Sequence, residues 1–118
     1  MNLSLQSSAA GPVEVAVAGP VTQAQVAVID DPLVKLAGAE IYGRQILFDL
    51  RDTELIDTSG ISWLLKNHRR AREAGGRLVL HSLPPIVDNV LKVLRMNQVF
   101  EIAADRAEAL SLLEGGTG

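Results

Sequence analysis

The residues best placed to do chemistry lie between positions 52 and 60, where Asp52, Glu54 and Asp57 precede Thr58-Ser59-Gly60. An apolar run, Ile46-Leu47-Phe48, comes just before them, and a stretch with helical spacing follows. Asp57-Thr58-Ser59 is helix N-cap chemistry, because a short oxygen-bearing side chain accepts from an N–H group that a helix start leaves unpaired. A serine in that first turn also sits at the positive end of the helix dipole. A phosphate on its hydroxyl would meet those N–H donors and add about −1.5 to −2 charges to the surface. Taken alone, Asp-Thr-Ser-Gly reads first as an ordinary cap.

Other constellations are weaker. A hydrolase would pair Ser59 with Asp57 and either His68 or His81, and a nucleophile needs its base within hydrogen-bond reach. His68 shares an apolar face with Ile61, Leu64 and Leu65, and reads as a hydrogen-bonded core histidine. His81 closes a strand, and its spacing does not bring it to Ser59. No Gly-x-Ser-x-Gly elbow occurs. Gly75-Gly76 ends a helix rather than opening one, and Asp30-Asp31 reads as capping rather than metal binding. No enzymatic activity, metal or cofactor is expected.

The elements that must position this segment follow from periodicity. Val13, Val15 and Val17 alternate with Glu14, Ala16 and Ala18, and Leu3 and Leu5 alternate with polar residues, so residues 2–18 read as a hairpin ended by Gly19-Pro20. Val26–Ile29 looks like a short strand, and Asp30-Asp31-Pro32 like the start of a brief helix through Ala37. Ile46–Leu50 and Leu78–Leu80 are continuous apolar runs, as expected of strands buried on both faces. The segment from 52 to 57 reads as a loop. The helix opened at Thr58 stops at Gly75-Gly76, placing Ser59, Trp63, Lys66 and Arg70 on the face opposite Ile61. Pro84-Pro85 opens a helix with Ile86, Val90, Val93 and Leu94 on one stripe. A short strand at 99–102 and a last helix capped by Asp105 complete the core of 45–113, leaving 114–118 as a frayed tail. Strand–helix alternation predicts an α/β fold, a mixed β-sheet with an N-terminal antiparallel hairpin and helices mainly on one side.

The 118 residues fit one domain, 1–118, that is 47% hydrophobic and 21% charged, too apolar for disorder. The absence of cysteine excludes disulfides and Cys-zinc sites. No apolar run reaches the ~18 residues of a membrane span, and no signal peptide is recognisable, so a cytoplasmic protein without membrane insertion is expected. The net charge of −3 argues against nucleic-acid binding. That charge is unevenly spread. Residues 1–57 hold eight acids and three bases, whereas 58–97 hold seven bases and two acids. Such asymmetry steers protein partners, though ordinary solvated helix faces produce it too. Trp and Arg are common interface hot spots, so Trp63 and Arg70, with Ser62 and Lys66 beside them, are the candidate partner-binding residues; Trp63 lying along the sheet is the alternative.

The segments Ile46–Leu50, Ile56-Asp57-Thr58-Ser59-Gly60-Ile61 and Gly75–Leu80, in that order, resemble the STAS domain of bacterial anti-sigma-factor antagonists. Val90–Met96, Val99–Ile102 and Ala107–Leu110 are similar to that family's C-terminal third. The resemblance implies a phosphorylation switch in transcription signalling. It carries the phosphoacceptor role onto Ser59, with Asp57 and Gly60 as the motif's aspartate and glycine. Thr58 departs from the commoner serine and is a second-choice acceptor. The implied partners are an anti-sigma factor that is also a serine kinase with a histidine-kinase-like ATPase fold, and a serine phosphatase; ATP is used only by the kinase. Residues 20–44 depart from the family, which usually places a longer helix there. The alternative within the same fold is a STAS module serving as a structural or regulatory subunit of a stress-signalling scaffold or a membrane lipid transporter.

Overall fold

Two apolar rows cross the centre of the sheet and decide which side each helix takes. A computed structural model describes residues 1–7, 11–22 and 32–115. Strands β1 (Asn2–Ser7), β2 (Val13–Val21), β3 (Gln45–Asp49), β5 (Arg77–His81) and β6 (Glu101–Ala103) lie side by side in that order, and β4 (Thr53–Ile56) pairs with the end of β2. β1 and β2 are antiparallel and the remaining pairs are parallel. Val13, Ile46 and Leu78 are aligned across β2, β3 and β5, as are Val15, Phe48 and Leu80. All six are buried in the larger core, under helices α1 (Pro32–Ala37), α2 (Thr58–Glu73) and α3 (Pro85–Val93). Leu33, Leu64, Ala71, Val87 and Leu91 supply the helical side of that core.

Side chains alternate along a strand, so Leu47 and Val79 point the other way. There they meet Ala109 and Leu113 of α4 (Arg106–Gly115) in a separate, smaller core. Burial on both faces is why Ile46–Phe48 and Leu78–Leu80 read as unbroken apolar runs. α4 follows the last strand and returns to none. It is no crossover, so the handedness rule that places α2 and α3 together does not bind it. The fold is the expected mixed-sheet α/β arrangement with an antiparallel β1–β2 pair.

Three expectations need correction. β2 does not end at Gly19-Pro20. Gly19, at φ +80°, shifts the register, and the strand leaves β3 to pair with β4 through Val21. The segment from 52 to 57 is therefore not all loop: β4 forms along that continuation, held by Thr53 Oγ1 donating to the Val17 carbonyl at 2.7 Å. The last helix also runs on through Glu114 and Gly115 rather than fraying there. The strand expected at Val26–Ile29 and the caps Asp30-Asp31 lie outside the described residues.

Candidate functional site

The partner switch of β2 aims the start of α2. β4 runs beside the end of β2 to Ile56, and the Asp57 N–H then donates to the Val21 carbonyl at 3.3 Å. Asp57 is extended, at φ −110° and ψ −175°, and its Oδ1 accepts from the Gly60 N–H at 2.9 Å. This is the expected N-cap. Gly60 is the motif glycine for a steric reason: a Cβ there would collide with the Val21 carbonyl oxygen and the Ile56 side chain. The close approach seats the first turn against the sheet.

Between those two anchors, Thr58 is exposed and Ser59 half-buried. Among the described residues, no hydrogen bond engages either hydroxyl or the N–H groups of these first two helical residues. Two N–H donors and two unengaged hydroxyls therefore lie at the positive end of a sixteen-residue helix. That arrangement suits a phosphorylated side chain, since the donors and the dipole both favour negative charge.

Trp63 does not join this surface. It is 7% exposed and stacks on Phe48, with ring centroids 5.8 Å apart and planes 17° apart. The buried stripe of α2 comprises Gly60, Ile61, Trp63, Leu64, Asn67, His68 and Ala71, wider than the stripe centred on Ile61 and Leu64 alone. At 100° per residue its centre lies near Asn67 and Ala71, which turns Trp63 inward. Ser62 and Lys66 are exposed and extend the Ser59 face along the helix. Arg70 sits at the edge of that face, half-buried, with its guanidinium 5.6 Å from the centre of the Tyr42 ring.

The second candidate surface is one that periodicity detects but cannot orient. α3 buries Val87 and Leu91, and turns Ile86, Val93 and Leu94 outward at 53%, 77% and 42% exposure. The stripe Ile86-Val90-Val93-Leu94 thus lines a shallow apolar groove with Asn89, and of the four only Val90 also packs against the core. α3 packs against β4, whose Leu55 is also exposed, and β4 leads directly into Asp57.

The histidines take no part in this site. His68 is buried in the larger core's side of α2, edge-on to Phe100 at 5.6 Å. Neither of its ring nitrogens has a hydrogen-bond partner among the described residues, where the sequence predicts a hydrogen-bonded core histidine. Burial holds its pKa below the usual value, with Arg72 and Arg69 adding to the effect and Glu101 opposing it. His81, aligned with Asp49 and Ala103, faces the other side of the sheet from α2. No group of three or more His, Asp or Glu side chains that could hold a metal occurs among the described residues. No helix among them is long and apolar enough to cross a membrane.

Comparison with known proteins agrees with this architecture. A family described as "Mlab, STAS domain" matches residues 4–111. No curated protein matches the chain. Solved structures that share the fold at low sequence identity include three anti-sigma-factor antagonists or related STAS proteins. An anti-sigma-factor antagonist (STAS) domain protein from Planctomyces limnophilus is 20% identical with a TM-score of 0.67, over 96% of this chain and 98% of that one. The anti-sigma factor antagonist SpoIIAA in its unphosphorylated form is 20% identical with a TM-score of 0.66, over 97% and 99%. A Thermotoga maritima protein, tm1081, assigned as an anti-sigma factor antagonist, is 21% identical with a TM-score of 0.65, over 86% and 87%. With a family match across nearly its whole length and the sheet order, capped helix and seated glycine all in place, this chain belongs to the STAS domain family.

Proposed function

We propose that this chain is an anti-sigma-factor antagonist whose binding is controlled by phosphorylation of Ser59. The observation that carries the reading is the start of α2, where a reachable serine hydroxyl stands beside two unengaged N–H donors between Asp57 and Gly60. In its unphosphorylated form the chain captures an anti-sigma factor that is also a serine kinase with an ATPase fold. The kinase transfers the γ-phosphoryl group of ATP to the Ser59 oxygen, the serine proton leaves, and ADP departs. The added charge then sits where the partner must close against the helix start, and the complex dissociates. A serine phosphatase restores the hydroxyl. Thr58, exposed one residue earlier, is the second-choice acceptor.

The partner surface in this reading is the exposed strip of Ser59, Ser62 and Lys66, continued by Leu55 on β4 and the outward stripe of α3. The basic excess in residues 58–97 complements an acidic partner face.

The stripe on α3 also favours a second reading, a STAS module that is a permanent structural or regulatory subunit of a scaffold or a membrane lipid transporter. Permanent interfaces bury more apolar area than transient ones. Side-by-side capture by wild type, Ser59→Ala and Ser59→Asp separates the two. The switch requires wild type and Ser59→Ala to retain an ATPase-fold kinase, and Ser59→Asp to retain much less. Equal capture of one partner by all three forms selects the permanent subunit.

A further inference from the structure

The face of the sheet opposite α2 is only half covered. α4 packs onto Leu47, Val79 and Ala103. Beside it a cavity of about 350 Å³ opens towards β1 and β2, bounded by Gln6, Glu14, Leu47, Asp49, His81 and Arg106. In-register pairing places Glu14 beside Leu47 and Asp49 beside His81, so the polar members form one patch on one face.

Its polar groups are unequally satisfied. Arg106 donates from Nε and Nη2 to the two Glu14 oxygens at 2.5 and 2.9 Å, and the two charges cancel. Asp49 Oδ1 accepts from the Arg51 N–H at 2.9 Å, which leaves Oδ2 without a partner among the described residues. His81 is 2% exposed, and its Nδ1 is 2.9 Å from Ser82 Oγ. Its Nε2 and the Gln6 amide are engaged by none of the described residues. A buried imidazole, a carboxylate oxygen and an amide therefore converge on the cavity with hydrogen-bonding capacity to spare.

Charge selects the ligand. The Glu14–Arg106 pair is neutral, so Asp49 is the one uncompensated charge among the lining residues, with the Arg51 charge acting on His81 from outside the lining. A phosphate would meet two carboxylates while the arginine is already engaged. A metal ion lacks a set of three His, Asp or Glu ligands among the described residues. Burial keeps the His81 pKa below its usual value; Asp49 and Glu14 oppose that, and Arg51 and Arg106 add to it. In the neutral tautomer whose Nδ1–H donates to Ser82 Oγ, Nε2 accepts a hydrogen bond.

We infer that this cavity binds a small protonated aliphatic amine, its ammonium between Asp49 and His81. The inference is independent of the role of Ser59, which lies across the sheet. Putrescine is the probe, titrated into the ¹⁵N-labelled full chain and followed by amide chemical shifts, with inorganic phosphate as the anion arm. Saturable shifts at Gln6, Asp49, His81 and Arg106, absent around Ser59, are expected. Asp49→Asn, of matching shape, should weaken binding by roughly tenfold or more, the scale of a lost charge-assisted contact. Arg106→Ala, at an exposed position, frees the Glu14 charge and should tighten putrescine binding several-fold. No saturable shifts with putrescine, unchanged binding in both variants, or shifts of the same residues by phosphate would overturn the assignment.

Discussion

Trp63 lies nearly parallel to Phe48, its ring 5.8 Å from that of the strand residue, so the only tryptophan joins α2 to the centre of the sheet. Trp63→Ala is accordingly expected to cost about 3–5 kcal/mol of stability, the range for deleting a large buried aromatic. Urea unfolding monitored by circular dichroism measures it. Partner affinity of the fraction that remains folded should be unchanged; a stable variant with weakened binding would return Trp63 to the surface.

Gly60 should be intolerant of even a methyl group. The Val21 carbonyl and the Ile56 side chain occupy the space a Cβ needs, and the carbonyl belongs to backbone already bonded to Asp57. Gly60→Ala should destabilise the fold by about 1–3 kcal/mol, despite alanine's better helix propensity. An exposed control, Ser62→Ala, should lie within about 0.5 kcal/mol of wild type. Equal melting temperatures for the two variants would show that the helix start can retreat from the sheet.

Where the sequence was legible, one local rule sufficed. Ile46–Phe48 and Leu78–Leu80 are strands because both faces are covered, and Asp57 caps α2 because its carboxylate needs only the N–H three residues on. What stayed hidden depends on neighbours distant in sequence. Gly19-Pro20 looks like a stop, yet β4 is available to receive the strand beyond it. Trp63 looks exposed until Phe48 is placed beneath it. The periodicity of α3 permits two sides, Val87 with Leu91 or Ile86 with Val93, and only the sheet's position decides that the first pair is buried. The site residues Asp57, Ser59 and Gly60 were legible as a motif, whereas the apolar surface beside them was not.

Acid should destabilise the fold well above the carboxylate range. Burial lowers the pKa of both His68 and His81 below the ordinary value of 6.5, so the folded chain resists protons that the unfolded chain accepts. Their neutral forms favour folding fully above pH 6.5, and that contribution is lost as pH falls from 6.5 through the lowered folded values. The slope reaches at most about 1.4 kcal/mol per pH unit for each histidine. Glu14, lowered chiefly by its hydrogen bond to Arg106, acts in a separate window below 4.5. Melting temperatures between about pH 7.5 and about pH 5.5 test this. His68→Leu should flatten the dependence, since the unpaired nitrogens beside Phe100 are replaced by apolar atoms. An equal slope in that variant would assign the effect to other groups.

The outward stripe of α3 supplies the last test, because it separates a binding surface from a core by single substitutions six residues apart on one helix. Val93 is 77% exposed and Val87 fully buried on the same helix. Val93→Asp leaves the core untouched and should change stability by no more than about 0.5 kcal/mol. If the partner covers α3 together with the start of α2, the same substitution puts a charge into an apolar contact. Capture of the partner by the unphosphorylated chain should then fall roughly tenfold or more, the loss expected at an interface anchor. Val87→Asp is the opposite control: it should unfold the protein, because the carboxylate would enter the larger core without a partner. Undiminished capture by a folded Val93→Asp chain would confine the partner to the Ser59 strip. The exposed valine would then be an ordinary apolar surface residue, and the basic residues of α2 would have to orient the complex without it.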